Sequence, residues 1–225
     1  MNKKEFLKYA VAFCYGDGGV YMHGNNARFE ANVTEDHKDY VDWRVGILET
    51  LTAVNTYTIY RKNPNHKNLT KTYTRTHPTY TKIRHRLYNA NHKVLDPHYL
   101  KLMDWETLAI WYMDDGCLGK VHYNSRKNGD YIGFTPRVTL ATHCFSYAEN
   151  IFLKELFRKM FSLEFNVIKA TSRQTQHWQL ALRSKDYKAF ESGVCQFILP
   201  SFGYKLVQYE RPQRELGDEK VRTIE

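Results

Sequence analysis

Three absences narrow the reading of this 225-residue chain. Cysteine is scarce, and none of Cys14, Cys117, Cys144 and Cys195 forms a C-x-x-C pair, which argues against a zinc site. All four are expected to be reduced core residues of an intracellular protein. No apolar run approaches the roughly 18 residues of a membrane span, and no signal-type apolar core opens the chain. A soluble chain that is not secreted is therefore expected. The third absence is of one charge: no acidic residue lies between Glu49 and Asp96.

That acid-free window carries nine basic residues, Arg61, Lys62, Lys67, Lys71, Arg75, Lys82, Arg84, Arg86 and Lys93, with histidines and tyrosines between them. A solvated surface normally mixes its signs, whereas a single-sign stretch rich in aromatics suits phosphate contacts. The whole chain has 33 Lys and Arg against 24 Asp and Glu, a net +9. Charge alone fits either a basic solvated surface or a polyanionic partner; its uneven placement favours nucleic acid. Residues 1–103 carry 16 basic and 9 acidic residues (+7), and 104–225 carry 17 and 15 (+2), so the first part is expected to supply more of any salt-dependent affinity.

An apolar stretch occurs twice. Tyr9 to Gly18 reads YAVAFCYGDG, and Leu108 to Gly116 reads LAIWYMDDG. Each is an apolar helical run ending in an acid and a glycine. Asp17 and Asp115 are 98 residues apart (115 − 17), so the repeat splits the chain nearly in half.

The elements around each copy follow one order. A helix from Asn2 or Lys3 ends at Gly16 and Gly18, and strands Val20–Met22 and Ala27–Val33 form a hairpin. Thr34 caps a helix that turns Tyr40, Val41, Val45, Leu48 and Leu51 inward. Strands Val54–Tyr60 and Thr70–Thr76 precede a helix from Pro78 to near Asn91. In the second part, Asp104 caps the motif helix, strand Leu118–Tyr123 follows, and a polar loop runs from Asn124 to Phe134. Strand Arg137–His143 leads to a helix opened by the Ser146/Glu149 capping box and ending at Phe161. Strands Phe165–Ala170 and His177–Leu182 come next, then a helix from Ser184 to Ile198. The mixed-charge tail after Tyr209 is expected to be loosely ordered.

A helix that ends in aspartate places an acid on an already negative pole, which costs up to about 1 kcal/mol. Each Asp-Gly by itself fits a simple turn. Two copies in equivalent halves of a basic chain favour a shared divalent cation, with Asp17 and Asp115 and helix-end carbonyls as hard oxygen ligands suited to magnesium. Ala12 and Gly16 lie four apart on one face, which lets the helices approach closely. The matching positions of the second motif, Ile110 and Asp114, are not small, and Ala109 offers another approach.

These residues resemble the LAGLIDADG homing endonucleases in their single-chain form. The second motif is close to a variant of the family motif, and Tyr204-Lys205-Leu206 is similar as well. The likeness runs from about residue 5 to 209; the first motif departs by placing Tyr15 and Gly16 before Asp17, and keeps the acid. The resemblance implies an α+β fold of two pseudo-symmetric α-β-β-α-β-β-α halves, residues 1–103 and 104–225, packed through the motif helices. Each half would give a curved antiparallel sheet to the DNA major groove. It implies a monomeric, metal-dependent site-specific endonuclease that cuts one phosphodiester in each strand across the minor groove and leaves short 3′ overhangs.

Carried over residue by residue, the resemblance implies Asp17, Asp115, Lys93 and Lys205 as catalytic residues. Lys93 is also one member of the basic run. Asp17, Asp115, Gly16 and Asp114 would hold Mg2+, with Mn2+ or Ca2+ able to substitute for binding. Glu35 and His143 would organise water. Tyr57, Arg61, Thr72, Arg75, Lys169, Arg173, Gln174, Gln179 and Arg183 would contact double-stranded DNA. A maturase that assists group I intron RNA is the alternative on the same scaffold.

Overall fold

Helix α1 (Lys3–Tyr15) begins where Asn2 accepts the Glu5 backbone N–H, at 3.0 Å. Such a cap satisfies one of the orphan donors of a first turn and contributes about 1 kcal/mol. In the computed structural model, residues 1–124, 131–172 and 175–207 are described. Arg173, Gln174 and the tail after Tyr209 lie outside them. Strands β1 (Gly19–His23) and β2 (Asn26–Thr34) form the expected hairpin. Helix α2 (Lys38–Glu49) follows a 3-10 turn over Glu35–His37, and the Thr34 side chain makes no capping bond. Strands β3 (Val54–Ile59) and β4 (Leu69–Thr74) complete an antiparallel sheet in the order β1-β2-β4-β3.

Helix α3 (Pro78–Leu87) ends four residues before the expected Asn91. Asn89 and Asn91 are turn formers, and Ala90 between them takes a left-handed φ of 50°. The segment folds back as a small hairpin of β5 (Tyr88–Asn89) and β6 (His92–Lys93). The turn redirects the chain so that Lys93 comes back toward the end of α1.

After the short helix α4 (Pro97–Leu100), α5 (Trp105–Asp115) opens on a capping box between Asp104 and Thr107. Strands β7 (Gly116–Asn124) and β8 (Tyr131–Leu140), then β9 (Phe165–Ser172) and β10 (Thr175–Leu182), build a second antiparallel sheet in the order β7-β8-β10-β9. Strand β8 lies N-terminal to the expected Arg137–His143. Its far end is taken over by a buried polar knot in which Asn150 donates to the carbonyl of Phe145 at 3.2 Å. Helix α6 (Tyr147–Phe161) starts at the Ser146/Glu149 box as expected. Helix α7 (Tyr187–Val194) stops short of Ile198; a 3-10 turn covers Cys195–Phe197, and a second covers Pro200–Lys205.

The core gathers the apolar faces of both sheets around α1 and α5. Phe13, Phe29, Tyr40, Leu108, Ala109, Trp111, Tyr112 and Phe165 are all essentially fully buried. Tyr15 stacks on Trp111 with ring centroids 5.4 Å apart. The seam on α5 includes Thr107, Trp111 and Asp114. Val11, Ala12 and Tyr15 line one space with Thr107 and Trp111, and Gly16 meets Asp114. At the far pole, Lys8 pairs with Asp104 (2.6 Å) and Glu106 (2.8 Å).

Only part of the cysteine expectation holds. Cys14 is buried, but Cys117, Cys144 and Cys195 are exposed. Cys117 pairs with Thr139 on the uncovered face of the second sheet, Cys144 lies in the turn after β8, and Cys195 begins a surface 3-10 turn.

Candidate active site and nucleic-acid interface

The two repeated motifs end side by side. Asp17 lies just past the Gly16 cap of α1, and Asp115 is the last residue of α5. Asp17 reaches solvent, while Asp114 and Asp115 are half-buried. Burial raises the pKa of all three, and the mutual repulsion of the acids raises those of Asp114 and Asp115 further, each to about 7. The Asp17 backbone N–H lies 3.2 Å from Asp114 Oδ2, next in sequence to Asp115, so the two motif ends meet, and the charge of Asp17 raises the pKa of Asp115. Lys93, Lys205 and Arg44 act the other way on Asp17. Three carboxylates therefore share three cations.

Both lysines hold helix ends. Lys93 Nζ donates to the Gly16 carbonyl at 2.7 Å. Lys205 Nζ donates to the Tyr112 carbonyl at 3.2 Å and to the Met113 carbonyl, and Tyr112 Oη donates back to the Lys205 carbonyl at 2.7 Å. Each ammonium thus neutralises the negative pole of one motif helix, where an aspartate is least welcome. Lys205 is almost wholly buried, and burial lowers its pKa against the raising influence of Asp114, Asp17 and Asp115.

Asp114 is placed differently from Asp17 and Asp115. Its Oδ2 accepts the Asp17 backbone N–H at 3.2 Å, so it clamps the opposite motif. Tyr40 and Arg44, both fully buried, partly offset the rise in its pKa. The Arg44 guanidinium sits 5.0 Å from the Tyr40 ring centroid. Arg44 is a functional neighbour absent from the sequence reading. It occupies the same stripe as Tyr40, Val41 and Leu48, and a charged residue at core spacing was the signal available for it.

A cleft of about 310 Å³ opens beside Asp17 and Asp114, lined by Asn32, Thr34, His37, Phe202, Tyr204 and Lys205 among others. Glu35 is absent from it; its Oε2 accepts from Asn68 Nδ2 at 3.0 Å, which ties it to the loop before β4. His37 instead enters the cleft, stacked on Phe202 at 3.9 Å. His143 pairs with Gln179 Oε1 at 3.1 Å and stacks on His177, so it belongs to the second sheet's surface. Among the described residues no three His, Cys, Asp or Glu side chains converge into a metal cage. Magnesium needs none: one or two carboxylates with waters and phosphate oxygens suffice. The donor set of Asp17 and Asp115 fits that pattern.

Strand parity sorts the expected DNA contacts. On the first sheet, Tyr57 pairs with Lys71 and Glu30 with Tyr73, and this face carries no helix. Tyr57 therefore stands on the uncovered face, and Arg75 and Arg61 are exposed at strand ends. Thr72 points the other way: it is fully buried and lies 3.5 Å from Arg44 Nη2. Lys169 is also displaced, because it pairs with Trp178 and lies over that ring on the face that Tyr147 of α6 covers. Gln179 is on the uncovered face of β10 with His177, and Arg183 is exposed just beyond. Arg28, Lys71, Tyr73 and Arg137 share the uncovered faces and stand outside the expected set of DNA contacts. The alternation of Thr70, Thr72 and Thr74 with Lys71, Tyr73 and Arg75 was the signal that small threonines turn inward.

The family model of the LAGLIDADG DNA endonuclease family matches residues 15–190. The chain belongs to that family. Of known LAGLIDADG structures, the homing endonuclease I-WcaI bound to its DNA recognition sequence is similar over 91% of this chain and 87% of its own, with 21% identity and a TM-score of 0.69. I-SmaMI bound to uncleaved DNA in the presence of calcium ions is similar over 88% and 87%, with 13% identity and a TM-score of 0.51. These likenesses show the fold. Among curated proteins, the uncharacterized protein MJ1098 of Methanocaldococcus jannaschii is 34% identical over 56% of this chain and 44% of its own. The cytochrome b mRNA maturase bI2 of Saccharomyces cerevisiae is 30% identical over 45% and 20%. The LAGLIDADG chain described here spans less than half the length of either. No helix among its described residues is long and apolar enough to cross a membrane.

Proposed function

We propose that the chain is a site-specific double-strand DNA endonuclease that hydrolyses one phosphodiester per strand. The observation that carries this reading is the meeting of the two motif ends, where Asp114, beside Asp115, accepts the Asp17 backbone N–H at 3.2 Å and each helix end is held by its own lysine. The chain would act as a monomer of two halves, 1–103 and 104–225. The uncovered sheet faces would lie in the major groove of a long asymmetric target. The acids, close together, would address facing phosphates across a narrowed minor groove, so the cuts leave short 3′ overhangs.

Asp17 and Asp115 would hold divalent cations, magnesium by the hardness of the oxygen donors. A bound cation supplies Lewis-acid polarisation of the phosphate and a more acidic water. The chain's own groups do the rest. Lys93 and Lys205 each keep at least one ammonium N–H beyond those given to carbonyls, available to a phosphate oxygen on which charge develops. Asp114 fixes the Asp17 backbone and so the direction of its carboxylate. The Gly16 carbonyl, already facing Lys93, retains a second lone pair for a cation. Calcium accompanies the DNA complex of I-SmaMI, which supports use of a divalent cation here.

A second reading, a maturase acting on intron RNA, is supported by the likeness to bI2. One experiment separates them. The protein is incubated with a plasmid library of random duplex inserts, with magnesium or with EDTA, and linear products are sequenced. Cutting at a defined site with magnesium alone, lost in Asp17→Asn while DNA binding in calcium persists, supports the endonuclease. No cutting of any insert beside tight binding of group I intron RNA overturns it.

A further inference from the structure

Glu30 is the one acid among residues whose register puts them on the uncovered face of the first sheet. It sits on β2, between β1 and β4, opposite Gly19 on one side and Tyr73 on the other. A carboxylate on a surface meant for phosphates works against affinity, so its presence asks for a reason. Its side chain is only 15% exposed because three donors converge on it. Arg28 Nε lies 2.7 Å from Oε1, Lys71 Nζ 2.7 Å from Oε2, and His23 Nε2 3.3 Å from Oε1. Burial works against the charged carboxylate, but the bonds from Lys71 and Arg28 outweigh it and lower the Glu30 pKa.

The effect on Arg28 is directional. Glu30 takes the Nε edge of the guanidinium, and the Tyr73 ring lies beneath it with the centroid 5.0 Å from Cζ. Tyr57 meets Tyr73 edge-on at 6.0 Å and fixes that ring in turn. Held at one edge and one face, the guanidinium keeps its terminal Nη fork for the groove. A planar pair of donors at fixed spacing matches the O6 and N7 acceptors of guanine, and adenine offers a donor where guanine has O6.

We propose that Glu30 is a specificity-determining positioning residue: it orients Arg28, with Lys71 beside it, to read guanine in the half-site bound by the first sheet. The proposal rests on the DNA-binding reading above. Because Glu30 faces Gly19, two residues from Asp17, the guanine position falls in the inner part of that half-site, toward the cut.

The test is selection from duplex DNA with a randomised central region, in calcium to prevent cleavage, for wild type, Glu30→Gln and Arg28→Lys. Thermal denaturation confirms that each variant is folded. Wild type should enrich guanine at one or two adjacent inner positions of one half-site. Both variants should lose that preference about tenfold or more, the scale of a bidentate contact, with the rest of the consensus kept. Glu30→Gln should hold or raise total affinity, since it removes a negative charge. An unchanged consensus in the variants overturns the proposal, as does an equal loss of affinity for every sequence, which would make Glu30 a structural brace. A wild-type chain that enriches no sequence overturns the DNA reading itself, and this inference with it.

Discussion

Replacing Gly16 by alanine tests the seam where the two motifs meet. A Cβ at Gly16 would lie 2.6 Å from Asp114 Cβ and 2.8 Å from Asp114 Cγ, far inside van der Waals contact. The obstacle is not a flexible side-chain tip, since Asp114 Cβ is fixed to the backbone of α5. Either the helices part or Asp114 swings away and releases the Asp17 N–H it accepts. Overpacking of this kind costs about 1–3 kcal/mol, and the lost hydrogen bond about another 1 kcal/mol. For a chain of this size a total of about 2–4 kcal/mol lowers Tm by roughly 4–16 °C. Differential scanning calorimetry reads the shift, and a cleavage assay should fall with it because the Asp17 carboxylate loses its brace. The decisive measurement is the double variant Gly16→Ala/Asp114→Gly, which moves the space to the other helix. It should be more stable than the sum of the single effects by about 1 kcal/mol or more. Gly16→Ala with wild-type Tm, or strictly additive singles, would refute the close approach.

Other outcomes follow from the same geometry. Asp114 and Asp115 titrate near 7 in the metal-free chain against 3.8 for a free aspartate, so the folded state binds more protons than the unfolded one across that window. Stability without metal should therefore fall as pH rises from about 4 through 7, and magnesium should flatten the slope; Tm against pH with EDTA or magnesium checks both. Lys205→Met orphans two buried carbonyl interactions and should cost about 1–3 kcal/mol, more than Lys93→Met, which orphans one at a half-buried position. Urea denaturation ranks them, and equal costs would contradict the assignment. Thr72→Val should leave DNA affinity within about twofold, whereas Arg137→Ala should lower the salt slope of binding by about 1.

Much of this was legible because the motif and its following hairpin occur twice in the sequence. The acid-glycine ends, the caps at Asp104 and Ser146 and the hairpins each had a local chemical cause, and the order of elements along the chain followed from them, whereas the β2–β4 and β8–β10 pairings that join the hairpins did not. What escaped was set by tertiary placement. Thr72 and Lys169 are polar residues on strands whose parity only pairing reveals. Glu35 lies one residue past Thr34, and a 3-10 turn carries it to Asn68 while His37 takes the cleft. Lys93 was placed just after a helix expected to end near Asn91; that helix ends at Leu87, and a tight turn at Ala90 brings Lys93 back to the Gly16 carbonyl. Arg44 shows the reverse case, a buried charge on an apolar stripe whose nearest polar contact, Thr72, lies 28 residues away (72 − 44) on β4.

Gly16 and Asp114 hold the same place in their motifs, 98 residues apart (114 − 16), like Asp17 and Asp115. One presents a notch and the other the tooth that fills it. Two copies of the first motif would meet notch to notch, leaving a void and no acceptor for the Asp17 N–H. Two copies of the second would press carboxylate against carboxylate. The seam is therefore directional: each motif fits the other better than it would fit a copy of itself.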